Sequence, residues 1–459
     1  MAVSGTPHLP NYEREIDFLS EIDTTTDTEK QAPYSTAPVE DVKAESPTPD
    51  TEWQNRGVVP PPDGGAEAWL QVVGSWCIIV TFGVYQAYYE RGTLFTQTPF
   101  NISWIGSIQS LIVFLLGAVV GAIYDKGYLK LLLAVGTFGV VFGHMMLSLC
   151  TEYWQVLLAQ GFVIGIGGAC LFVPALAVTQ PYFSSRLGLA LGVVGTGSSL
   201  GCIVYGVVFA RLIDRIGFAW TTRTIGFIAL ATLVVPLAIS KKRKQPLPPQ
   251  TSPTSKKSDF SGVLDGRYML CVLGVFLGYA GCQVTFFYIA YFGQAQGWFV
   301  GNVALYLVVI INAGAIIGRL MPNWLSDKVG PINVVLPGSL LMGVLLLCNL
   351  AVVNAGGIIC IALFFGVLSG IFVSLPPLLF MALTEDKSKM GARMGIAYLF
   401  VGLSVLPGGP GAGGVLQHKG SSLHWHAAWT YAGVLQLAAF VVFCVLRVWQ
   451  GGLAFTVKI

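Results

Sequence analysis

The sequence predicts an all-α polytopic membrane protein with twelve transmembrane helices in two six-helix repeats. Three observations predict this fold class. The chain is 54% hydrophobic and 11% charged, with a mean hydropathy of +0.69, which is too apolar for an ordinary water-soluble domain. Apolar runs of about 20 residues, the length of a membrane-spanning helix, recur from Trp69 onward. Finally, a degenerate copy of the segment from Gly168 to Ala190 returns later in the chain.

The internal repeat divides the chain into two halves. Most of the recurring residues are separated by a shift of 202, and the arginine pair by a shift of 207. The pairs are Gly168 and Gly370, Pro174 and Pro376, Asp125-Lys126 and Asp327-Lys328, and Arg186 and Arg393. The chain therefore contains two copies of one unit, and its fold is expected to follow that division.

Hydropathy predicts six spans on either side of one long polar loop. The spans cover residues 67–89, 103–123, 129–150, 153–177, 187–210, 221–240, 268–292, 301–322, 332–353, 356–382, 393–416 and 427–449. The predicted domains are a disordered acidic tail (1–66), a first bundle (67–240), a linker loop (241–267), a second bundle (268–449) and a short tail (450–459). The first tail holds 13 Asp and Glu residues but 4 Lys and Arg, a composition typical of disorder.

The distribution of basic residues predicts that both termini are cytosolic. With that orientation, 21 of the 26 Lys and Arg residues lie on the cytosolic side, where basic loops are retained. The plasma membrane is the expected location. In the first outside loop, Asn101 begins a glycosylation sequon, and its position against the second span disfavours its modification.

Four of the prolines inside or near the ends of predicted spans are the candidate helix kinks. They are Pro174, Pro376, Pro407 and Pro410. Proline removes a backbone donor and kinks a helix, and broken helices often mark transporter sites. The run PGGPGAGG from Pro407 predicts a bent or partly unwound eleventh span, although kinks that serve only packing are equally consistent with it. Glycines four residues apart, such as Gly314 and Gly318, predict close helix packing.

Six charged residues at the cytosolic ends of the spans are candidate gate residues. They are Asp125, Lys126 and Arg186 in the first half and Asp327, Lys328 and Arg393 in the second. Charges this close to the acyl boundary are costly unless they are paired. We hypothesise that Asp125 holds Arg393 and that Asp327 holds Arg186. The alternative is that these charges belong to solvated loops.

Arg319 is the strongest single candidate for contact with a solute. It lies eight residues before Asp327, roughly 12 Å deeper along a helix, and a guanidinium suits a carboxylate. The alternatives are that it snorkels to the interface or pairs with Asp327. The other candidate substrate-binding residues are polar groups in spans one, seven and eight, namely Tyr85, Gln86, Gln283, Tyr288 and Asn312.

The sequence predicts neither an enzyme nor a metalloprotein. The nine cysteines have no metal-ligand spacing, and no nucleotide loop or hydrolase motif occurs. We expect no cofactor, no metal and no nucleic-acid partner. The expected partners are the lipid bilayer and a small organic solute. Whether the solute is anionic and whether its transport is coupled to protons both stay open; His144 is the candidate histidine for a proton relay within the spans.

The chain resembles the fungal members of the monocarboxylate porter family, within the major facilitator superfamily. The resemblance begins at Asp63-Gly64-Gly65 and continues through GVYQAYYE at 83–90, GAIYDKG, YFSSRLGLALG, GRLMPNWLSDKVG at 318–330 and GARMGIAYLFVG at 391–402. It implies two six-helix bundles around a central cavity and transport by alternating access. In similar animal proteins an arginine matching Arg319 contacts the substrate carboxylate. Those proteins also carry an aspartate four residues before this arginine and a lysine in the first span. Here Ala315 occupies the position of the aspartate, and residues 66–89 contain no lysine.

These features predict a secondary active transporter of a small organic solute, with export of a fungal secondary metabolite favoured. Uptake of a monocarboxylate or a vitamin is the alternative within transport. A transporter-like solute receptor is the alternative from another class.

Overall fold

The computed structural model of the protein describes residues 63–79, 85–90, 92–183, 185–241, 243, 265–299, 301–384, 390–417 and 423–451. All regular elements in these ranges are helical, as the sequence predicts. The predictions for the acidic tail up to residue 62, for linker residues 244–264 and for residues 452–459 lie outside the described residues.

The first half comprises helices α1 to α6. Helix α1 is Ala66–Ile79, and a short helical turn, Gln86–Tyr89, follows it. The next helices are α2 (Pro99–Asp125), α3 (Leu129–Leu147), α4 (Tyr153–Tyr182), and a long helical stretch, Leu187–Ile239, that contains α5 and α6. Predicted span one extends across residues 80–84, which lie outside the described residues.

The second half comprises helices α7 to α12. They are α7 (Gly266–Ala295), α8 (Leu305–Val329), α9 (Pro331–Cys348), α10 (Ala355–Ala382), α11 (Met390–Leu403 continued by Ala412–Leu416) and α12 (Trp425–Gly451). Ten helical stretches in the described part of the chain are long and apolar enough to cross a membrane.

The stretch Leu187–Ile239 is two spans joined at Gly217. Its 53 residues would extend roughly 80 Å as one straight helix, far more than the ~30 Å hydrocarbon core of a bilayer. Gly217 interrupts it with φ 71° and ψ 175°, a conformation that favours glycine. We name residues 187–216 α5 and residues 218–239 α6. The loop predicted at 211–220 is therefore almost entirely helical.

The predicted helix-breaking positions differ in their effects. Pro174 lies inside a continuous α-helical segment, Gly165–Ala177. Pro376 starts a new segment, Pro376–Ala382, after the backbone turns at Leu375. Pro407 and Pro410 lie in a π-helical turn, Pro407–Gly411. Span eleven is thus a wider, π-helical turn at PGGPGAGG rather than an unwound segment.

Glycine spacing lets α8 and α10 approach closely. A Cβ atom on Gly318 would overlap the carbonyl oxygen of Val367, and one on Gly370 would overlap the backbone of Gly318. Gly314 and Gly366 meet the opposite backbone in the same way. Small residues four apart produce this backbone-to-backbone packing in lipid, where no hydrophobic force drives helices together.

The two ends of the bundle are named here by their position relative to the linker. The linker end contains Asp265 and the turns after α2, α4, α6, α8 and α10, and the far end contains the turns after α3, α5, α7, α9 and α11. Many large apolar side chains between the ends are exposed, including Phe138 at 69% and Val119 at 57%. An apolar outer surface of this kind suits contact with lipid acyl chains.

We expect Gly318→Ala to destabilise the protein and Gly117→Ala to have little effect. The added methyl group overlaps backbone at Gly318, and overpacking costs about 1–3 kcal/mol. At Gly117, which with Gly121 forms a glycine pair four residues apart in α2, the nearest atom would be the Val173 Cγ2 at an ordinary 3.6 Å. Thermal unfolding of the two purified variants, followed by size-exclusion chromatography, measures the difference. Equal midpoints would contradict the packing described for α8 and α10.

Candidate functional site

A carboxylate of the second half closes the linker end of the bundle. Both oxygens of Asp327, at the end of α8, accept hydrogen bonds from the first backbone amides of α5. The Gly188 and Leu189 nitrogens each lie 3.0 Å from an Asp327 oxygen. Helix N-terminal amides have no partner within their own helix, and negative charge there is favourable. Asp327 therefore joins the two halves through a charge-assisted helix cap.

The hypothesis of paired gate charges is changed by these contacts. Asp327 meets the start of α5 as expected, but it bonds to backbone amides, and the side chain of Arg186 is exposed. Arg393 forms an ion pair with Asp265, 3.8 Å away, rather than with Asp125. Its guanidinium also lies 4.2 Å from the ring centroid of Tyr268. The start of α7 packs beside the start of α11 and supplies both partners.

The remaining charged gate candidates lie at the surface. Asp125, Lys126 and Lys328 are exposed, and the Lys328 Nζ lies 3.8 Å from the centroid of the Trp324 ring. The repeat therefore preserves the positions of the charges, while Asp327 contacts backbone amides and Arg393 contacts Asp265.

Arg319 lies at the interface between the halves and is 5% exposed. Its Nη1 donates to the Gly195 carbonyl oxygen and to the Ser198 hydroxyl, both on α5. Its Nε has no hydrogen-bond partner. Arg319 thus neither snorkels to the interface nor pairs with Asp327. It binds α5 about two turns deeper than the Asp327 cap, through Nη1 only.

Four aromatic rings from both halves meet beside Arg319. We call Phe114, Phe172, Tyr279 and Tyr398 the interhalf aromatic cluster. Phe114 on α2 stacks on Tyr398 of α11 with ring centroids 5.8 Å apart and planes within 5°. Phe172 on α4 contacts both rings edge-on, at 5.4 and 6.0 Å. Tyr279 on α7 contacts Phe114 at 6.2 Å and interacts electrostatically with Arg319.

The cluster has the chemical character of a binding site for an apolar aromatic molecule. All four of its side chains are only partly buried, whereas the cores of both halves contain many rings that are fully buried. Aromatic rings prefer offset-stacked and edge-to-face neighbours, each pair contributing about 0.5–1.5 kcal/mol beyond its buried area. Because these rings are partly exposed at an internal interface, they can form such contacts with a bound aromatic molecule.

The polar residues predicted to bind a solute do not converge on Arg319. Asn312 donates to the Val308 carbonyl of its own helix at 2.8 Å, and Gln283 packs under Gly408. Tyr85 lies in the first half, packed on Phe209 at 5.4 Å between ring centroids. His144 engages the carbonyl oxygen of Val140 in its own helix. Each side chain is satisfied or packed locally, so polarity alone does not identify the site.

Sequence reasoning missed the interhalf aromatic cluster. Tyr279 lies one helical turn before Gln283 on α7, and the spacing i, i+4 places the two on neighbouring positions of one face. Tyr398 lies within the recurring segment GARMGIAYLFVG. These positions carried a detectable signal, but the contact between rings of different halves cannot be read from a linear pattern.

The far end is also closed, and Gln86 and Tyr288 belong to that closure. The Tyr288 hydroxyl of α7 donates to the Gly409 carbonyl at 3.0 Å and lies 3.5 Å from the Pro99 carbonyl of α2. The Gln86 amide donates to the carboxylate of Glu90 at 2.8 Å. Burial raises the pKa of that carboxyl to about 8. Asn101, in the predicted sequon, lies in the first turn of α2, where its side-chain amide donates to Gln97 at 2.8 Å.

Comparison with known proteins identifies the class that this fold and interface define. The sequence profile of the Major Facilitator Superfamily matches residues 68–389. Among solved structures, the nucleoside transporter NupG superposes with a TM-score of 0.64 at 13% identity, covering 83% of this chain and 99% of that one. That likeness concerns the fold alone.

Several fungal transporters are similar over nearly the whole chain. MFS-type transporter dbaD of Emericella nidulans is 48% identical over 391 residues, which is 83% of this chain and 86% of the relative. MFS-type transporter hasB of Aspergillus fumigatus is 33% identical and covers 87% and 95%. The fujikurins efflux protein of Gibberella fujikuroi is 33% identical and covers 83% of each chain. The chain belongs to the Major Facilitator Superfamily and is an integral membrane transporter.

We expect Asp327→Asn to weaken the closure of the linker end. The substituted amide keeps one acceptor oxygen but turns an NH2 group toward a backbone N–H, and a hydrogen bond to a charged group contributes about 1.5–3 kcal/mol. Hydrogen exchange of the amides at 187–190 should therefore accelerate about tenfold or more.

Asp265→Asn is the matched control, because Asp265 is an aspartate at the same end whose side chain is 53% exposed. An exposed ion pair contributes only about 0–1 kcal/mol. If Asp265→Asn accelerated exchange at 187–190 as much as Asp327→Asn, the cap would have no special part in the closure.

Proposed function

We propose that the protein exports a small aromatic organic molecule, a secondary metabolite of the fungus that makes it, with the linker end in the cytosol. The observation that carries this proposal is the interhalf aromatic cluster. Its rings come from α2 and α4 of one half and from α7 and α11 of the other. A guest among these rings contacts both halves at once.

Binding between the halves is suited to transport by alternating access. The two halves contact each other at the linker end through Asp327 and α5, and at the far end through Tyr288 and Pro99. Opening either set of contacts while the other holds would expose the cluster to one side of the membrane. Rocking of one bundle against the other about a central site is the usual way in which transporters of this architecture work.

The direction and orientation rest on two further observations. One relative over nearly the full chain is named as an efflux protein. The basic residues are concentrated in the segments of the linker end, and such segments are retained in the cytosol. Together they favour export across the plasma membrane over uptake.

We further infer that the protein belongs to the monocarboxylate porter family but carries a cargo without an obligatory carboxylate. The family inference rests on the motifs from Asp63 onward. In this conformation the Arg319 Nη1 is occupied by Gly195 and Ser198. The contacts to α5 use only Nη1 and the Nε has no hydrogen-bond partner, so the other edge of the guanidinium can receive an anionic group if the cargo carries one, whereas an aromatic cargo needs only the rings. Uptake of a simple carboxylate is therefore the weaker alternative.

Deletion of the gene in the producing fungus should shift aromatic metabolites from the medium into the cells. Comparative mass spectrometry of mycelium and medium, restricted to compounds with ultraviolet absorbance, detects the retained compounds whatever their identity. Complementation with the wild-type gene should restore export, and Phe172→Leu should restore it about threefold to tenfold less, as expected for losing one or two aromatic contacts.

Phe138→Leu provides the matched control for this experiment. Phe138 is on the outer surface of α3 and is 69% exposed, so its replacement should restore export fully. The proposal fails if no aromatic compound changes its distribution on deletion, if compounds move outward instead, or if Phe172→Leu complements as well as Phe138→Leu.

A further inference from the structure

Glu90 is a partly buried acid at the interface between the two halves. It follows the helical turn Gln86–Tyr89, beyond the end of the first span. One carboxylate oxygen, Oε1, accepts a hydrogen bond from the Gln86 amide at 2.8 Å. The other, Oε2, is inaccessible to water and has no hydrogen-bond partner. A carboxylate in this environment accepts a hydrogen bond from only one neutral donor, which replaces the full set of hydrogen bonds that water would donate to it.

The groups that face Glu90 do not compensate its charge. On α7 they are the phenols of Tyr288 and Tyr291, and the Tyr288 hydroxyl directs its one proton to the Gly409 carbonyl. The part of α2 nearest the turn, residues 99–107, contains no titratable side chain. Among the described residues no cation pairs with Glu90. The Nε of Arg211, on α5, instead donates to the Tyr306 hydroxyl at 3.1 Å.

Burial is therefore the dominant influence on this acid. It raises the pKa of the Glu90 carboxyl from its ordinary value of 4.5 to about 8, although the hydrogen bond from Gln86 acts in the opposite direction. The unpartnered Oε2 is the atom at which a proton would remove the uncompensated charge. At neutral pH the closed far end consequently holds Glu90 in its neutral form.

The burial of Glu90 depends on the two halves being together at this end. Tyr288 and Tyr291 belong to the second half, whereas Glu90 and Gln86 belong to the first. Separation of α7 from the Gln86–Tyr89 turn would bring water to the carboxyl and return it to an ordinary acid. The state of closure and the state of protonation are thus linked thermodynamically.

We propose that Glu90 is the proton-binding site of the far end: this end closes with the Glu90 carboxyl protonated at Oε2 and opens with it ionised. The proton comes from the solvent on the far side and returns to it on opening. This inference is independent of which solute is moved. It gives the transporter a defined point at which the pH of the far compartment acts on its conformation.

The linkage has a definite sign and range. A raised pKa in the closed state favours closure fully below the pKa of the open state, and this advantage is lost as the pH rises through the closed-state value. The ratio of closed to open should therefore fall about tenfold for each pH unit between about 4.5 and about 8. In an exporter, an acidic medium would then favour closing after the cargo has left.

Hydrogen–deuterium exchange of the purified full-length protein tests the proposal without a cargo. Wild type and Glu90→Gln are compared at the same pH, which cancels the chemical dependence of exchange on pH. At pH 9 the far-end peptides covering 92–103 and 286–299 should exchange at least about tenfold faster in wild type than in Glu90→Gln. At pH 5 the two proteins should agree, because both carry a neutral side chain.

Glu152→Gln is the matched control. Glu152 is an exposed acid at the same end, preceding α4, and its carboxylate accepts from the Trp154 indole at 2.6 Å. This variant should follow wild type at both pH values. The proposal is overturned if wild type and Glu90→Gln exchange equally at pH 9, or if Glu152→Gln behaves like Glu90→Gln. Glu90→Met, also neutral and of similar length, gives the same comparison if the amide variant does not fold.

Discussion

The contact on which the closed conformation most depends is the cap that Asp327 places on the first turn of α5. A carboxylate that accepts two amide hydrogen bonds at 3.0 Å satisfies helix donors that otherwise have no partner and adds favourable charge at the positive end of the helix. The cap brings the linker end of α8 against α5 so closely that a Cβ on Gly192 would press on the backbone of Arg319. The position of Arg319 between the halves follows from that approach.

The two ends of the bundle are closed by different chemistry. The linker end uses a carboxylate on a helix terminus and an arginine bound to the backbone of α5. The far end uses the Tyr288 hydroxyl, 3.5 Å from the Pro99 carbonyl oxygen of the other half, and an acid, Glu90, one of whose carboxylate oxygens has no hydrogen-bond partner. This difference has a functional consequence under the proposal above, in which the Glu90 carboxyl binds a proton when the far end closes. The repeat produces two similar bundles, and the residues that depart from the repeat make the two ends of the protein chemically different.

The sequence predicts much of the fold, since hydropathy, proline and glycine spacing and the repeat all depend on local patterns. From the cost of burying charge it also predicts that Asp327 holds the start of α5 and that Arg319 is a candidate solute contact. It does not identify their partners, because a backbone amide of another helix, such as that of Gly188, leaves no trace in residue identity. Polar residues such as Asn312 mislead for the same reason: a carbonyl of the same helix satisfies them.

The site itself is the least predictable part. Phe114 and Tyr398 stack because α2 and α11 present those faces to each other, and that rotation depends on packing around Gly402 and Gly409, which closely approach Phe114 and Ser107. From the sequence alone, an aromatic residue in an apolar span is interpreted as a lipid contact or a core residue, because the helix that packs against it is not known. The repeat offers no help here, since the residue 202 positions after Phe172 is Ser374.

The most direct test of the central claim is a cryo-electron microscopy structure of the protein with its exported metabolite. We predict density for the cargo between the two halves, against the rings of Phe114, Phe172, Tyr279 and Tyr398 and near the free Nε of Arg319. Density elsewhere, for example beside Tyr85 within the first half, with the four rings still in contact with one another, would contradict it.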